Sequence, residues 1–190
     1  MDKAYLRNTL RRMCRELTPA QRAAAAEGVY EVFRGNRLLA KAHTIGAYVG
    51  VRGEISLKPL MSHSSARWAF PKTDPDSRDM SWHHSTAWPT QRGAFGIPEP
   101  STDAPLVDPS DVDLWLIPAV ATDRTGARLG QGGGYYDTLL AGVRAPVVAV
   151  VHAFQHRYEL PMEPHDQYVD YVLTPKRTYA YGVRERMLRG

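Results

Sequence analysis

The sequence predicts an α/β protein of three layers (α/β/α), in which a mostly parallel β-sheet is covered by helices on both faces. Three observations carry that prediction. Short apolar runs rich in β-branched or aromatic residues recur at 43–51 (HTIGAYVGV), 67–71 (RWAFP), 113–121 (DLWLIPAVA) and 146–153 (PVVAVVHA). Runs that stay apolar without alternating mark strands buried on both sides. Several of them are separated by enough chain for a crossover helix, which parallel neighbours require. The first 35 residues instead repeat their apolar positions at helical spacing.

Taken in order, Leu6, Leu10, Met13 and Leu17 recur at helical intervals, so residues 3–16 form an amphipathic helix with that stripe on the core. Lys3, Arg7 and Arg11 lie four apart and make one cationic line beside it. A second helix starts at Thr18-Pro19-Ala20-Gln21, where Thr18 caps, Pro19 suits the first helical position and Gln21 completes a capping box. It runs to about Arg34 and closes at Gly35. The four apolar runs follow as strands, with helices expected over 56–65 and 135–141. The stretch 71–105 is rich in proline, serine and aspartate. It reads as a strand or hairpin at 79–86 followed by a long surface connection, with turns at Asp74-Pro75 and at Gly96 to Pro100.

A chain of 190 residues with 43% hydrophobic and 23% charged residues has enough apolar side chain for one domain spanning 1–190. Cys14 is the single cysteine, which excludes an intramolecular disulfide and a cysteine-based zinc site and suits a buried, inert thiol. The N-terminal segment lacks the apolar centre of a secretory signal, and no run approaches 18 apolar residues. A soluble, cytoplasmic monomer without membrane partners is expected. The net charge of +4 is mild, but Arg7, Arg11, Arg12 and Arg15 cluster within nine residues, a pattern that suits a polyanion such as a nucleotide phosphate or a nucleic acid.

Residues 128–137 read RLGQGGGYYD, four glycines in five positions between an arginine and an aspartate. Glycines let backbone N–H groups converge on a ligand with no Cβ in the way, and the N-terminus of a following helix adds partial positive charge, so the arrangement suits phosphate. The spacing matches neither a Walker A loop, since Gly134 leads into Tyr135 rather than Lys, nor a dinucleotide fingerprint. A tight turn with packed tyrosines is the plain alternative. Against it stand Arg128, whose guanidinium fork pairs with phosphate, and Asp137, a carboxylate in the first helical turn able to carry Mg²⁺.

This motif, together with LTPAQR (17–22), GEI (53–55), FGIPEP (95–100) and VDYVLTP (169–175) in that order, resembles the 5-formyltetrahydrofolate cyclo-ligase family over essentially the whole chain. The resemblance implies an α/β/α fold and closure of 5-formyltetrahydrofolate to 5,10-methenyltetrahydrofolate using ATP and Mg²⁺, with reduced folate and ATP as small-molecule partners. It further implies an ATP-binding loop of Arg128, Leu129, Gly130, Gln131, Gly132, Gly133, Gly134, Tyr135 and Tyr136, with Lys3 and Arg7 as its distant cations. Arg128 and Asp137 become the catalytic pair, and Asp137 and Asp170 the metal carboxylates. Folate contacts fall on Val49 and Glu54, with Gln131 to Tyr135 shared between the two substrates; one carboxylate at Glu54 can accept both the 2-amino and N3 protons of a pterin. Some relatives carry lysine where Gly133 stands, and arginine or an aromatic where Gln131 stands, so this chain depends more on Lys3, Arg7 and Arg128.

Competing readings exist for several residues. His152 and His156 are four apart, with Glu163 and His165 beyond, but no glutamate stands between the two histidines as a zincin requires. His83 and His84 project to opposite faces of a strand and cannot chelate together. Trp68, Trp82, Trp88 and Trp115 suit core packing better than pterin stacking, and Lys72 suits the surface. The rival function is a nucleotide- or RNA-binding module on the same fold, without catalysis. Nucleic acid is not expected as a partner, because Asp137 and Asp170 would repel its phosphates and the arginines are not interleaved with exposed aromatics.

Overall fold

The computed structural model describes residues 2–37, 39–77, 79–163 and 166–181. Helix α1 spans Lys3–Glu16 and α2 spans Pro19–Gly35. The α2 capping box is formed in full: the Thr18 hydroxyl accepts from Gln21 N–H at 3.2 Å, and Thr18 N–H donates to the Gln21 side chain at 2.9 Å. Thr18→Ala removes one half of it and is expected to cost about 1 kcal/mol, read as a lowered melting temperature. On α1 the buried positions are Leu6, Leu10 and Cys14, while Met13 is 37% exposed. The expected stripe is therefore rotated by one residue at its C-terminal end, because a strict four-residue spacing follows the contact line with what lies beneath.

The strands are β1 (Thr44–Ala47), β2 (Arg67–Thr73), β3 (Met80–Ser85), β4 (Gln91–Arg92), β5 (Pro98–Glu99), β6 (Leu106–Val107), β7 (Leu114–Pro118), β8 (Ala121–Thr122), β9 (Arg128–Leu129), β10 (Val147–Val150), β11 (Tyr171–Leu173) and β12 (Thr178–Ala180). Two further helices are α3 (Lys58–Ser62) and α4 (Tyr135–Gly142). Eight strands form one sheet in the order β12-β11-β10-β7-β1-β2-β3-β6. The five central strands, β11 to β2, are parallel, and both margins are antiparallel.

Each central strand divides its side chains between two cores, as the period of two requires. Ile45, Leu114, Leu116, Val148 and Val150 pack under α2 and α3. Trp115, Ile117, Val147, Ala149 and Val172 pack under α4 on the opposite face. The predicted three-layer arrangement is the observed one. Glycine at 46 is required by close approach, since a Cβ there would lie 2.3 Å from the Trp115 ring. That ring meets Trp82 edge to face at 4.5 Å.

Several elements differ from expectation. The run 43–51 ends as a strand at Ala47, because Arg52 and Gly53 adopt left-handed φ values of 53° and 91° and fold the chain into a turn closed by Glu54 N–H to Val51 O at 3.0 Å. The run 113–121 breaks after Pro118, and Ala121 pairs instead with Leu129 in a separate two-stranded ribbon, β8–β9. The helix expected over 56–65 is short, Lys58–Ser62. Inside the long connection the chain forms a second small ribbon, β4–β5. Leu6 and Leu10 of α1 pack on Ala121, Ala127 and Leu129, so α1 covers the β8–β9 ribbon rather than a face of the main sheet.

Candidate functional site

Parallel strands deliver their C-terminal ends to one rim of a sheet, where loops are free to bind ligands. Here that rim receives the 50–54 turn after β1, the β8–β9 ribbon after β7 and the 130–134 loop before α4. Arg128 occupies its centre. The side chain is 2% exposed; Nε donates to the carbonyl of Pro118 at 3.1 Å, Nη1 donates to Asp137 Oδ1 at 2.9 Å, and the guanidinium lies 5.5 Å over the Tyr136 ring. Burial pushes the Arg128 pKa down, and the Asp137 carboxylate opposes the shift. The two residues expected to act as phosphate cation and metal carboxylate are thus paired with each other. Asp137 retains 42% exposure and sits in the first turn of α4, where the helix dipole favours its charge.

The glycine loop is held from outside by its carbonyls. Arg7 Nε donates to Gly130 O at 3.0 Å; Arg11 Nη2 donates to Gln131 O at 2.5 Å and its Nε to the Gln131 side chain at 2.8 Å. Among the described residues, the N–H groups of Gly132, Gly133 and Gly134 donate to nothing. Gly132 and Gly134 have φ of 97° and 79°, which a side chain tolerates poorly. At Gly130 a Cβ would come within 3.0 Å of the Arg128 guanidinium. Leu129 is buried against α1 and anchors the loop from below. Carbonyls bound to cations and amides left open are the polarity an anion cradle needs.

Glu54 joins the two halves of the site. Its Oε2 accepts from Val51 N–H at 3.1 Å and its Oε1 accepts from Gln131 Nε2 at 2.8 Å. Burial raises its pKa, while the hydrogen bonds from Val51 and Gln131 and the charges of Arg52 and Arg128 pull the other way. Val49 is 6% exposed within the core beneath α2 and α3 and offers wall rather than polar contact. Tyr136 is packed between both cores, its hydroxyl pKa raised by burial. Tyr135 donates its hydroxyl to Asp74 O at 3.3 Å and meets Phe95 edge to face at 5.8 Å.

Three expectations require correction or refinement. Lys3 does not reach the loop: its Nζ pairs with Glu163 at 3.0 Å and Asp166 at 2.5 Å. Burial alone would lower its pKa, but these two carboxylates raise it. The cationic line spans two helical turns, about 12 Å, and only its Arg7 and Arg11 end overlies the loop. Asp170 lies at the opposite rim. It precedes β11, level with Val147 at the start of β10, and its Oδ2 accepts from Val147 N–H at 2.8 Å, whereas Arg128 bonds Pro118 at the far end of the neighbouring strand. Three strand residues at about 3.3 Å each separate the levels, so Asp137 and Asp170 do not converge on one ion. Third, Arg11 bonds the loop although only Lys3 and Arg7 were assigned to it; its place as third member of the four-residue line was the available signal.

The remaining candidates have structural partners. His152 Nε2 bonds Gly53 O at 2.9 Å, while His156 lies between Thr122 Oγ1 at 3.0 Å and the Tyr181 hydroxyl at 3.2 Å. His165 lies outside the described residues. Trp68, Trp82 and Trp115 are core residues, and Trp88 packs edge-on against Phe70. Cys14 is a buried thiol, its pKa pushed up to about 11 first by burial and then by Glu54. No group of three or more His, Cys, Asp or Glu able to hold a metal occurs among the described residues. Asp137, ion-paired with Arg128 through Oδ1 yet 42% exposed, suits Mg²⁺ carried on substrate phosphates, because that ion keeps several waters and takes one or two carboxylates.

Comparison with known proteins identifies the family. The profile of the 5-formyltetrahydrofolate cyclo-ligase family matches residues 1–175. The chain is 35% identical to a 5-formyltetrahydrofolate cyclo-ligase of Mycolicibacterium smegmatis, covering 93% of this chain and 95% of that one. It is 28% identical to the Escherichia coli protein of the same name, covering 90% and 100%. Among solved structures, the 5,10-methenyltetrahydrofolate synthetase of Aquifex aeolicus superposes with a TM-score of 0.83 at 31% identity, covering 95% of this chain and 93% of that chain.

Proposed function

The chain belongs to the 5-formyltetrahydrofolate cyclo-ligase family, and from that premise we propose that it closes 5-formyltetrahydrofolate to 5,10-methenyltetrahydrofolate, using ATP and Mg²⁺ and releasing ADP and phosphate. The observation that carries the nucleotide half is the loop at 130–134, with its carbonyls fixed by Arg7 and Arg11 and the amides of Gly132 to Gly134 open. Glu54 supports the folate half: its carboxylate accepts one amide donor from Gln131, the kind of donor that a pterin N–H also presents.

The chemistry explains why such a site suffices. The formyl oxygen on N5 is a poor leaving group as oxide or hydroxide. When it attacks the γ-phosphorus of ATP, a P–O bond forms, the β,γ-bridging P–O bond breaks and ADP departs. N10 of the same folate then attacks the activated carbon, the C–O bond breaks, inorganic phosphate leaves and the N10 proton passes to solvent. Because the nucleophile is tethered, orientation supplies much of the rate. Phosphoryl transfer otherwise asks for positioning and charge stabilisation, which Arg128 and the loop amides offer. Mg²⁺ beside Asp137 would supply charge neutralisation at the phosphates.

The test is spectroscopic. Purified protein should produce the methenyl chromophore from 5-formyltetrahydrofolate only when ATP and Mg²⁺ are both present; absence of product under those conditions would overturn the reading. Glu54→Gln should raise KM for the folate about ten- to hundredfold, the worth of a charged hydrogen bond, with a smaller change in kcat. The pH dependence has a fixed sign. Only the carboxylate accepts both pterin protons, and burial raises the Glu54 pKa, so wild-type KM should climb as pH falls through a value above the ordinary glutamate range. Glu54→Gln should flatten that limb, and an unchanged limb in the variant would remove Glu54 from the pterin site.

A further inference from the structure

We propose that the groove between α2 and α3 holds the glutamate end of the folate, with Arg52, Lys58 and Arg22 binding its carboxylates, an assignment that rests on the folate reading of Glu54. A cavity of about 580 Å³ opens beside Glu54, between the 50–54 turn, the first half of α2 and the whole of α3. This is the size of a small-molecule site. Its walls are small and apolar, Ala23 and Ala26 from α2 and Pro59 from α3, and its edge carries Arg22, Arg52, Lys58 and His63. The acids that face it are Glu27 and Glu54. Glu54 is already engaged by Val51 N–H and Gln131, which leaves the groove with an excess of positive charge.

A folate anchored through its pterin on Glu54 must lead its other end away from the glycine loop. That end is a flat aminobenzoyl ring carrying a glutamate with two carboxylates. The alanine wall suits the ring, and guanidinium and ammonium groups suit the carboxylates. Arg52 and Lys58 make no ion pair among the described residues. One Arg22 nitrogen donates to Arg15 O at 2.8 Å, which fixes that guanidinium beside the groove. Among the described residues, Arg52 is also the one non-glycine with a left-handed φ, 53°. Such strain clusters at ligand clamps, and here it turns a cation toward the groove at the point where the chain passes from β1 to Glu54.

The test compares 5-formyltetrahydrofolate with 5-formyltetrahydropteroate, which lacks the glutamate, by KM and by quenching of tryptophan fluorescence at equilibrium. Wild type should prefer the glutamylated compound about five- to tenfold, the sum expected of two or three partly exposed charge pairs. The preference should narrow in about 0.5 M salt, which screens such pairs. In the Arg52→Ala/Lys58→Ala double variant the preference should fall below about twofold. Because Arg52 also holds the Glu54 pKa down, its removal weakens both compounds alike, so the ratio between them is the readout. Lys58→Glu should lower that ratio through the glutamylated compound with one surface change. A double variant that keeps the wild-type preference overturns the assignment, as does a wild type that cyclises both compounds with equal KM. In those cases the folate reading of Glu54 stands. If wild type binds and cyclises neither compound, that reading fails and the tail site fails with it.

Discussion

Arg128→Ala should lower kcat by about two to three orders of magnitude, the usual cost of removing one preorganised charge donor from a transition state. The physical reason lies in how Arg128 is held. A carbonyl at the end of β7, a carboxylate in α4 and an aromatic face fix a fully buried guanidinium at the mouth of the loop, so no reorganisation is needed when charge develops on a transferring phosphoryl group. The variant should remain folded, because the partner left behind, Asp137, is 42% exposed and can be hydrated; a destabilisation of about 1–3 kcal/mol is expected from the unpaired Pro118 carbonyl and the vacated volume. Arg128→Lys should recover little, since one ammonium cannot reproduce a fork that meets two acceptors at once. The measurements are methenyl formation under saturating substrates and a thermal melt of each variant. Turnover of Arg128→Ala within about threefold of wild type would remove Arg128 from the chemistry.

The second large effect concerns stability. A Cβ at Gly53 would lie 2.2 Å from the carbonyl oxygen of Cys14 and 2.5 Å from its carbonyl carbon, while φ at this residue is 91°. Gly53→Ala therefore combines left-handed strain of about 1–2 kcal/mol with overlap against backbone of about 1–3 kcal/mol. For a chain of this size the total should lower Tm by about 5–15 °C. Cys14→Ala should not relieve it, because the clash is with main chain at the end of α1, not with the thiol. The same substitution should raise KM for the folate, since Gly53 precedes Glu54 and its carbonyl takes the bond from His152. A melt unchanged within about 2 °C would show that α1 and the turn are not in contact as described.

These two cases also mark what the sequence could and could not convey. Local rules were legible: the capping box at Thr18 and Gln21, the boundaries of α1, the presence of buried strands within 67–71 and 113–121 and the glycine loop all follow from propensity and period. The breaks in the strands were not, because they depend on who pairs with whom. Ala121 belongs to the same apolar run as Ile117 and is as fully buried, yet it leaves the sheet to pair with Leu129. Within the site, Arg128, Gly130 to Gly134 and Glu54 were marked by residue type and motif. Their mutual pairing was not, since a side chain's partner is a property of the assembled rim: Lys3 goes to Glu163 and Asp166, Arg11 takes the loop, and Asp170 closes the N-terminal end of β10. A helical line of cations is visible in one dimension; which of its turns overlies the loop is not.

The bonds from Arg7 and Arg11 to Gly130 and Gln131 connect residues separated by 123 and 120 positions. During synthesis the Arg7 and Arg11 side chains therefore lack these acceptors until roughly two-thirds of the polypeptide has left the ribosome. Contacts of such long sequence separation form late, after closure entropy has been overcome. The bracing of the loop is thus acquired late in folding, and a nascent chain that stalls before the loop emerges holds its arginines with nothing to brace.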